Sequence, residues 1–104
     1  MNGYIRFRMA LTEEKPTIKP YEEARWAELE DARLGKIEAS LKMLDALHVR
    51  WGALMRSLTP DDWKRVYIHP KNGKMTLDLA LANYAWHGKH HTAHITSLRE
   101  RQAW

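Results

Sequence analysis

A chain of 104 residues, 44% hydrophobic and 29% charged, has room for one domain with a single modest core. It contains no cysteine, which excludes disulfides, thiolate metal sites and cysteine nucleophiles, and which fits a reducing cytoplasm. The net charge of +4 comes from basic residues that alternate with acids, as in Glu22-Glu23-Ala24-Arg25 and Arg99-Glu100-Arg101. Such alternation describes solvated helix faces, so nucleic-acid binding is disfavoured.

Residues 1 to about 14 carry a helical stripe of Tyr4, Phe7 and Leu11, flanked by Ile5 and Met9. Only Asn2-Gly3 precedes it, so the helix is expected to start without an entry loop. Pro16-Thr17-Ile18-Lys19-Pro20 breaks the pattern. Pro20 is expected as the first residue of a helix running from Tyr21 to about Glu30, with Glu22 and Glu23 near its positive end.

After Leu34-Gly35, the residues Leu34, Ile37, Leu41, Leu44, His48, Trp51, Met55 and Leu58 recur alternately three and four apart. That spacing predicts a long helix with a bundle seam. Thr59-Pro60-Asp61-Asp62 reads as a cap opening a short helical turn through Trp63. Arg65-Val66-Tyr67-Ile68-His69 has strand composition, and the Asn72-Gly73 turn would pair it with Lys74-Met75 as a small β-ribbon within 65–75. Thr76 is then expected to cap a last helix reaching about Gln102. No apolar run approaches the roughly 20 residues of a membrane span, and no secretory signal opens the sequence. The expected class is all-α, one domain over 1–104.

Four of the six histidines fall in Trp86-His87-Gly88-Lys89-His90-His91-Thr92-Ala93-His94. Histidine is the commonest metal ligand, and a tract this dense points to a metal site. The last helix has its own seam of Leu77, Leu81, Tyr84, Gly88, His91, Ile95 and Leu98, so the tract is expected to lie across a core-facing stripe. Taking about 100° per residue, His87 lies about 40° from His91, His94 about 60° to the same side, and His90 about 100° round. His87 and His91 thus form an inward i, i+4 pair, the spacing at which one helix offers two imidazoles to one ion. His90 and His94 repeat that spacing but rotate towards solvent. Gly88 leaves room beside the first pair. It also stands where a zincin protease would carry its glutamate, which disfavours that chemistry. A catalytic site usually takes three protein ligands. His48, on the opposed seam, is the best placed third histidine, with Asp45 a weaker choice; His48 and His69 are otherwise read as ordinary structural histidines.

The segment Tyr84-Ala85-Trp86-His87-Gly88-Lys89-His90-His91-Thr92-Ala93-His94-Ile95 resembles the final helix of the YfiT-like metal-dependent hydrolases of the DinB superfamily. Asn2-Gly3-Tyr4-Ile5-Arg6-Phe7, Pro16-Thr17-Ile18-Lys19-Pro20-Tyr21, Leu47-His48-Val49-Arg50-Trp51 and His69-Pro70 resemble successive blocks of the same family. The resemblance implies a four-helix bundle holding one divalent ion, zinc or nickel, through three histidines, two of which match His87 and His91. It also implies a cytoplasmic homodimer and a small-molecule substrate hydrolysed by metal-activated water. Related branches are thiol S-transferases using bacillithiol-type thiols. In that family the third histidine precedes the residues matching Met1-Asn2. The chain is therefore expected to lack this ligand and the bundle's first helix, and to self-associate, by exchanging helices, over the seam left open. His94 is expected to shuttle a proton or support the ligands, with His90 and Tyr84 in auxiliary places. A non-catalytic oligomeric helical module is the rival reading.

Overall fold

The computed structural model describes residues 1–104. Its elements are α1 (Asn2–Thr12), α2 (Glu23–Ala27), α3 (Glu30–Leu34), α4 (Ile37–Arg56), α5 (Pro60–Trp63), β1 (Val66–His69), β2 (Gly73–Thr76) and α6 (Leu77–Gln102). The two strands form an antiparallel ribbon with Val66 opposite Thr76 and His69 opposite Gly73. Gly73 takes φ +74°, the left-handed turn conformation that Asn-Gly favours.

The core sits at one end of the molecule. Phe7 and Ala10 of α1, Ile18, Trp51 near the end of α4, Tyr67 of β1, and Leu77 and Ala80 at the start of α6 are all buried there. Phe7 meets Trp51 and Trp63 edge-on at 5.2 and 6.3 Å between ring centres. Gly3 admits the closest approach: a Cβ there would lie 2.7 Å from both Trp51 and Tyr84.

Polar contacts tie this end together. The chain after α1 lies parallel to β1, with Ile18 donating to Ile68 and Ile68 donating to Pro16 at 2.9 and 2.8 Å. The Arg65 guanidinium donates to the carbonyls of Ala10 and Glu13 at 2.6 and 3.0 Å. It thereby satisfies acceptors that the end of α1 leaves free. His69, read from sequence as an ordinary structural histidine, has a local task. Its Nδ1 accepts the backbone N–H groups of Lys71 and Asn72 at 3.1 and 3.2 Å and so shapes the ribbon turn.

Several boundaries differ from expectation. The helix expected over Tyr21–Glu30 is two short ones, interrupted where Leu29 is extended at ψ 145°. Pro20 is not the first helical residue, because the extended path strapped to β1 continues through it to Glu22. Neither short helix buries a residue, so no packing holds them in one longer rod. Thr76 occupies the cap position of α6 without making the capping bond; its hydroxyl turns to the Asp78 carboxylate, which accepts the Leu79 N–H at 2.7 Å.

The α5 cap is as expected. Thr59 Oγ1 accepts the Asp62 N–H at 3.2 Å, and the Asp62 carboxylate accepts the Thr59 N–H at 2.9 Å. These bonds from the Thr59 backbone and hydroxyl hold the Asp62 carboxyl below the ordinary aspartate value. The stability it lends is present above that ordinary value and is lost as pH falls through the lower folded one. Thr59→Ala should raise the Asp62 pKa, read by NMR titration, and cost about 1 kcal/mol in urea denaturation.

The seams stand open, as expected of a chain lacking the bundle's first helix. Beyond the core end, α4 and α6 run out as arms, and every residue from Ala85 to Trp104 is exposed. The radius of gyration is 16.1 Å, against about 13 Å for a closed domain of this length. No helix is long and apolar enough to cross a membrane.

Candidate metal centre

The histidine tract occupies the middle of α6, past the point where the helix leaves the core. Leu77 and Ala80 anchor its first turn, and Tyr84 is the last residue that is not fully exposed. Tyr84 packs edge-on against Trp51 at 5.4 Å, and its hydroxyl lies 3.5 Å from Arg6 Nη1. From there the backbone carries His87, His90, His91 and His94 into solvent. Within residues 1–104 no element packs over the second half of α6, so its stripe stands uncovered, in line with the open seam expected of a chain lacking the bundle's first helix. Helical periodicity reports which face suits burial, not what covers it.

Within the tract, one pair converges through its nitrogens. His87 Nε2 and His91 Nε2 stand 2.6 Å apart, a hydrogen-bond distance in which one ring donates and the other accepts. The other i, i+4 pair, His90 and His94, meets edge to face at 4.2 Å between ring centres. His90 also stacks on Trp86 at 4.7 Å, nearly parallel, which holds it to the side of the first pair. His94 lies 5.7 Å, centre to centre, from His91.

Desolvation, together with the charges that His87, His94 and His90 can carry, lowers the His91 pKa below the usual imidazole value. A neutral imidazole is the metal-binding form, so the cluster favours the ligand state of its central member. The two nitrogens fit a shared ion. A tetrahedral ion with nitrogen ligands at about 2.0–2.1 Å holds them roughly 3.3 Å apart, so the rings need open by less than an ångström. Gly88 offers no obstruction, for a Cβ there would meet nothing within 4 Å.

A third ligand does not join them. No group of three or more His, Cys, Asp or Glu residues is placed to hold a metal ion. His48, expected from the opposed seam, instead bonds through Nδ1 to the Leu44 carbonyl at 2.8 Å and sits 6.4 Å from the Trp51 ring. It is exposed on an arm of α4 that does not close against α6, and Asp45 shares that exposure. Within residues 1–104 the candidate site offers two converging imidazoles.

With this geometry in hand, the chain can be set beside known proteins. It is 57% identical over all 104 residues to a protein of Bacillus mycoides (strain KBAB4) named "Putative metal-dependent hydrolase". A Bacillus cereus (strain B4264) protein of the same name is 56% identical over the same span. The chain covers 60% of the length of each. Among solved structures it superposes on YfiT from Bacillus subtilis, described as "a probable metal-dependent hydrolase with an unusual four-helix bundle topology". The TM-score is 0.94 at 48% identity, covering all of this chain and 60% of that one. The ribbon and the three long helices, α1, α4 and α6, are thus the corresponding part of that bundle fold. Residues 1–95 match the DinB superfamily, and the chain belongs to it.

Proposed function

We propose that this chain carries the ion-binding helix of a metal-dependent hydrolase, with His87 and His91 as ligands to a divalent zinc or nickel ion. The observation that carries the reading is the convergence of their Nε2 atoms to 2.6 Å on an exposed helix face. Two imidazoles on adjacent turns suit zinc or nickel, which accept nitrogen ligands readily. The names of the relatives support metal dependence and hydrolysis.

The ion, when bound, supplies Lewis acidity to water or to a substrate oxygen. The chain's own residues do the rest. His87 and His91 hold the ion, and leave most of its surroundings open to a small-molecule substrate. His94, beside His91 yet outside the converging pair, is placed to accept or return a proton at its ring nitrogens. His90, fixed on Trp86, lines the approach. Tyr84 offers a hydroxyl at the base of the site. His48 keeps Nε2 free of any partner within the chain and is an auxiliary ligand candidate in an assembly. The assembly in this reading is a cytoplasmic homodimer, supported by the exposed apolar residues of α4 and α6 and by the absence of cysteine.

The test is hydrolysis of a panel of small esters, amides and phosphoesters by the purified chain. Activity that disappears with a chelator, returns with zinc or nickel, and weakens in His94→Ala supports the reading. Activity indifferent to chelation would reject it. A non-catalytic helical module is the second reading, favoured by the open two-ligand shell; metal binding without hydrolysis of any class would select it.

A further inference from the structure

The base of the candidate site carries a positive charge that ion binding does not use. Gly3 brings α1 against α6: a Cβ there would stand 2.7 Å from the Tyr84 ring and 2.9 Å from its hydroxyl. One turn further along α1, on the same face, Arg6 directs Nη1 to that hydroxyl at 3.5 Å. Tyr67 of β1 completes the group. Burial, with Tyr84 beside it, pushes the Tyr67 phenol up to about 12, and the Arg6 charge nearby works against that rise. Three elements thus meet round one half-buried guanidinium.

Arg6 belongs to none of the chain's ion pairs, which join Arg25 to Glu22, Arg33 to Glu28 and Lys64 to Asp61. Arg8, about 200° further round α1, turns instead to Tyr4, lying over its ring at 5.6 Å and donating to its hydroxyl at 3.2 Å. A guanidinium presents a planar fork of N–H donors, and Tyr84 takes only one of those of Arg6. The position of this fork relative to the histidines follows from the helix. Round α6, Tyr84 lies about 20° from His91 and about 60° from His87, so the three share a face. Along the axis, the level midway between the two histidines is about 7.5 Å beyond Tyr84. Gly88, the next residue up on that face, puts no side chain in the way.

We propose that Arg6, held at the Tyr84 hydroxyl, binds an anionic group of the substrate, a carboxylate or a phosphate, while the bond to be hydrolysed lies at the His87/His91 pair. This rests on the ligand reading above and adds a substrate class to it: small acids whose hydrolysable bond stands a few atoms from the anion. The arginine fork matches either anion with two parallel bonds, which a lysine does not. Partly desolvated beside Tyr67 and Tyr84, the charge acts more strongly than it would in open water. Arg6 is no ligand to the ion, so it selects the substrate and leaves the ion in place.

The experiment is calorimetric titration of the zinc-loaded chain with alkyl hydroxamates, with bound zinc measured separately. The hydroxamate group binds zinc, and a tail of about three carbons ends in a carboxylate, a phosphonate or an uncharged carboxamide. One charged tail or both should bind at least about tenfold more tightly than the carboxamide, as a charge-assisted pair allows, and the tighter one names the anion. Arg6→Gln keeps a donor for Tyr84 but no charge; it should retain its zinc and cut that preference to about twofold or less, while Arg6→Lys, with charge but no fork, falls between. A preference equal in Arg6→Gln and the unaltered chain, or none in the unaltered chain, would overturn the anion site while sparing the ligand reading. Loss of zinc in Arg6→Gln would make Arg6 a support for the histidines and overturn its role in substrate selection. An unaltered chain that binds no zinc would overturn the ligand reading, and this inference with it.

Discussion

Replacing His91 with alanine should lower the affinity of the chain for zinc or nickel by at least about a hundredfold. Loss of a residue that only orients a ligand already costs 10–100-fold, and here a ligand itself is removed. One imidazole would remain on the converging face, since His90 is held against Trp86 and His94 meets His90 edge-on rather than through a nitrogen. His87→Ala should behave alike, because the two Nε2 atoms contribute as a pair. His48→Ala should leave the affinity of the single chain within about threefold, as ordinary context effects do, since His48 joins no ligand group and spends Nδ1 on Leu44. Competition against a chromophoric chelator measures all three. Equal affinities for His91→Ala and the unaltered chain would remove the site as drawn. A loss in His48→Ala as large as in His91→Ala would instead bring α4 into the shell.

These expectations separate what a sequence carries from what only a fold decides. The i, i+4 spacing of His87 and His91 is a property of the helix itself, so their convergence was legible before any tertiary arrangement was known. The same holds for the α5 cap at Thr59-Pro60-Asp61-Asp62 and for the Asn72-Gly73 ribbon turn, where each residue's own chemistry selects the conformation. Burial is different. Leu41 and Leu44 have the periodicity of a buried seam and yet are exposed, because burial depends on a second surface that periodicity cannot report. His48 lies on the same uncovered seam and finds its one bond within its own helix, at the Leu44 carbonyl. The task of His69 escaped for a different reason. Its bonds to Lys71 and Asn72 are made two and three residues away, within reach of sequence reasoning, but a histidine accepting backbone N–H groups at a turn lacks the familiar Asp, Asn or Ser signature. The break at Leu29 had no signal of its own, since neither α2 nor α3 buries a residue that would make a continuous helix preferable.

The second large effect is expected at the other end of the molecule. Phe7 is fully buried, and its ring is met edge-on by Trp51 at 5.2 Å and Trp63 at 6.3 Å. Removing a buried phenylalanine costs about 3–5 kcal/mol, from the lost transfer of the ring and the cavity that remains. A domain of ordinary stability has about 5–15 kcal/mol in total, and this core has only seven members to redistribute the loss. Ile5, on the same helix but half exposed, provides the control; its alanine variant should change stability by no more than about 0.5 kcal/mol at low protein concentration. Urea denaturation followed by tryptophan fluorescence reads both, because Trp51 and Trp63 report the Phe7 contact directly. The consequence extends to the candidate metal site. Tyr84, at the base of the histidine tract, leans on Trp51, and Trp51 leans on Phe7. Yet His87 and His91 stand beyond the last contact of α6 with the core and are joined only by their own helix. Conditions that leave Phe7→Ala folded should therefore leave zinc affinity nearly unchanged while the melting temperature falls steeply. A proportional loss of both would mean that the core, and not the helix alone, sets the geometry of the pair.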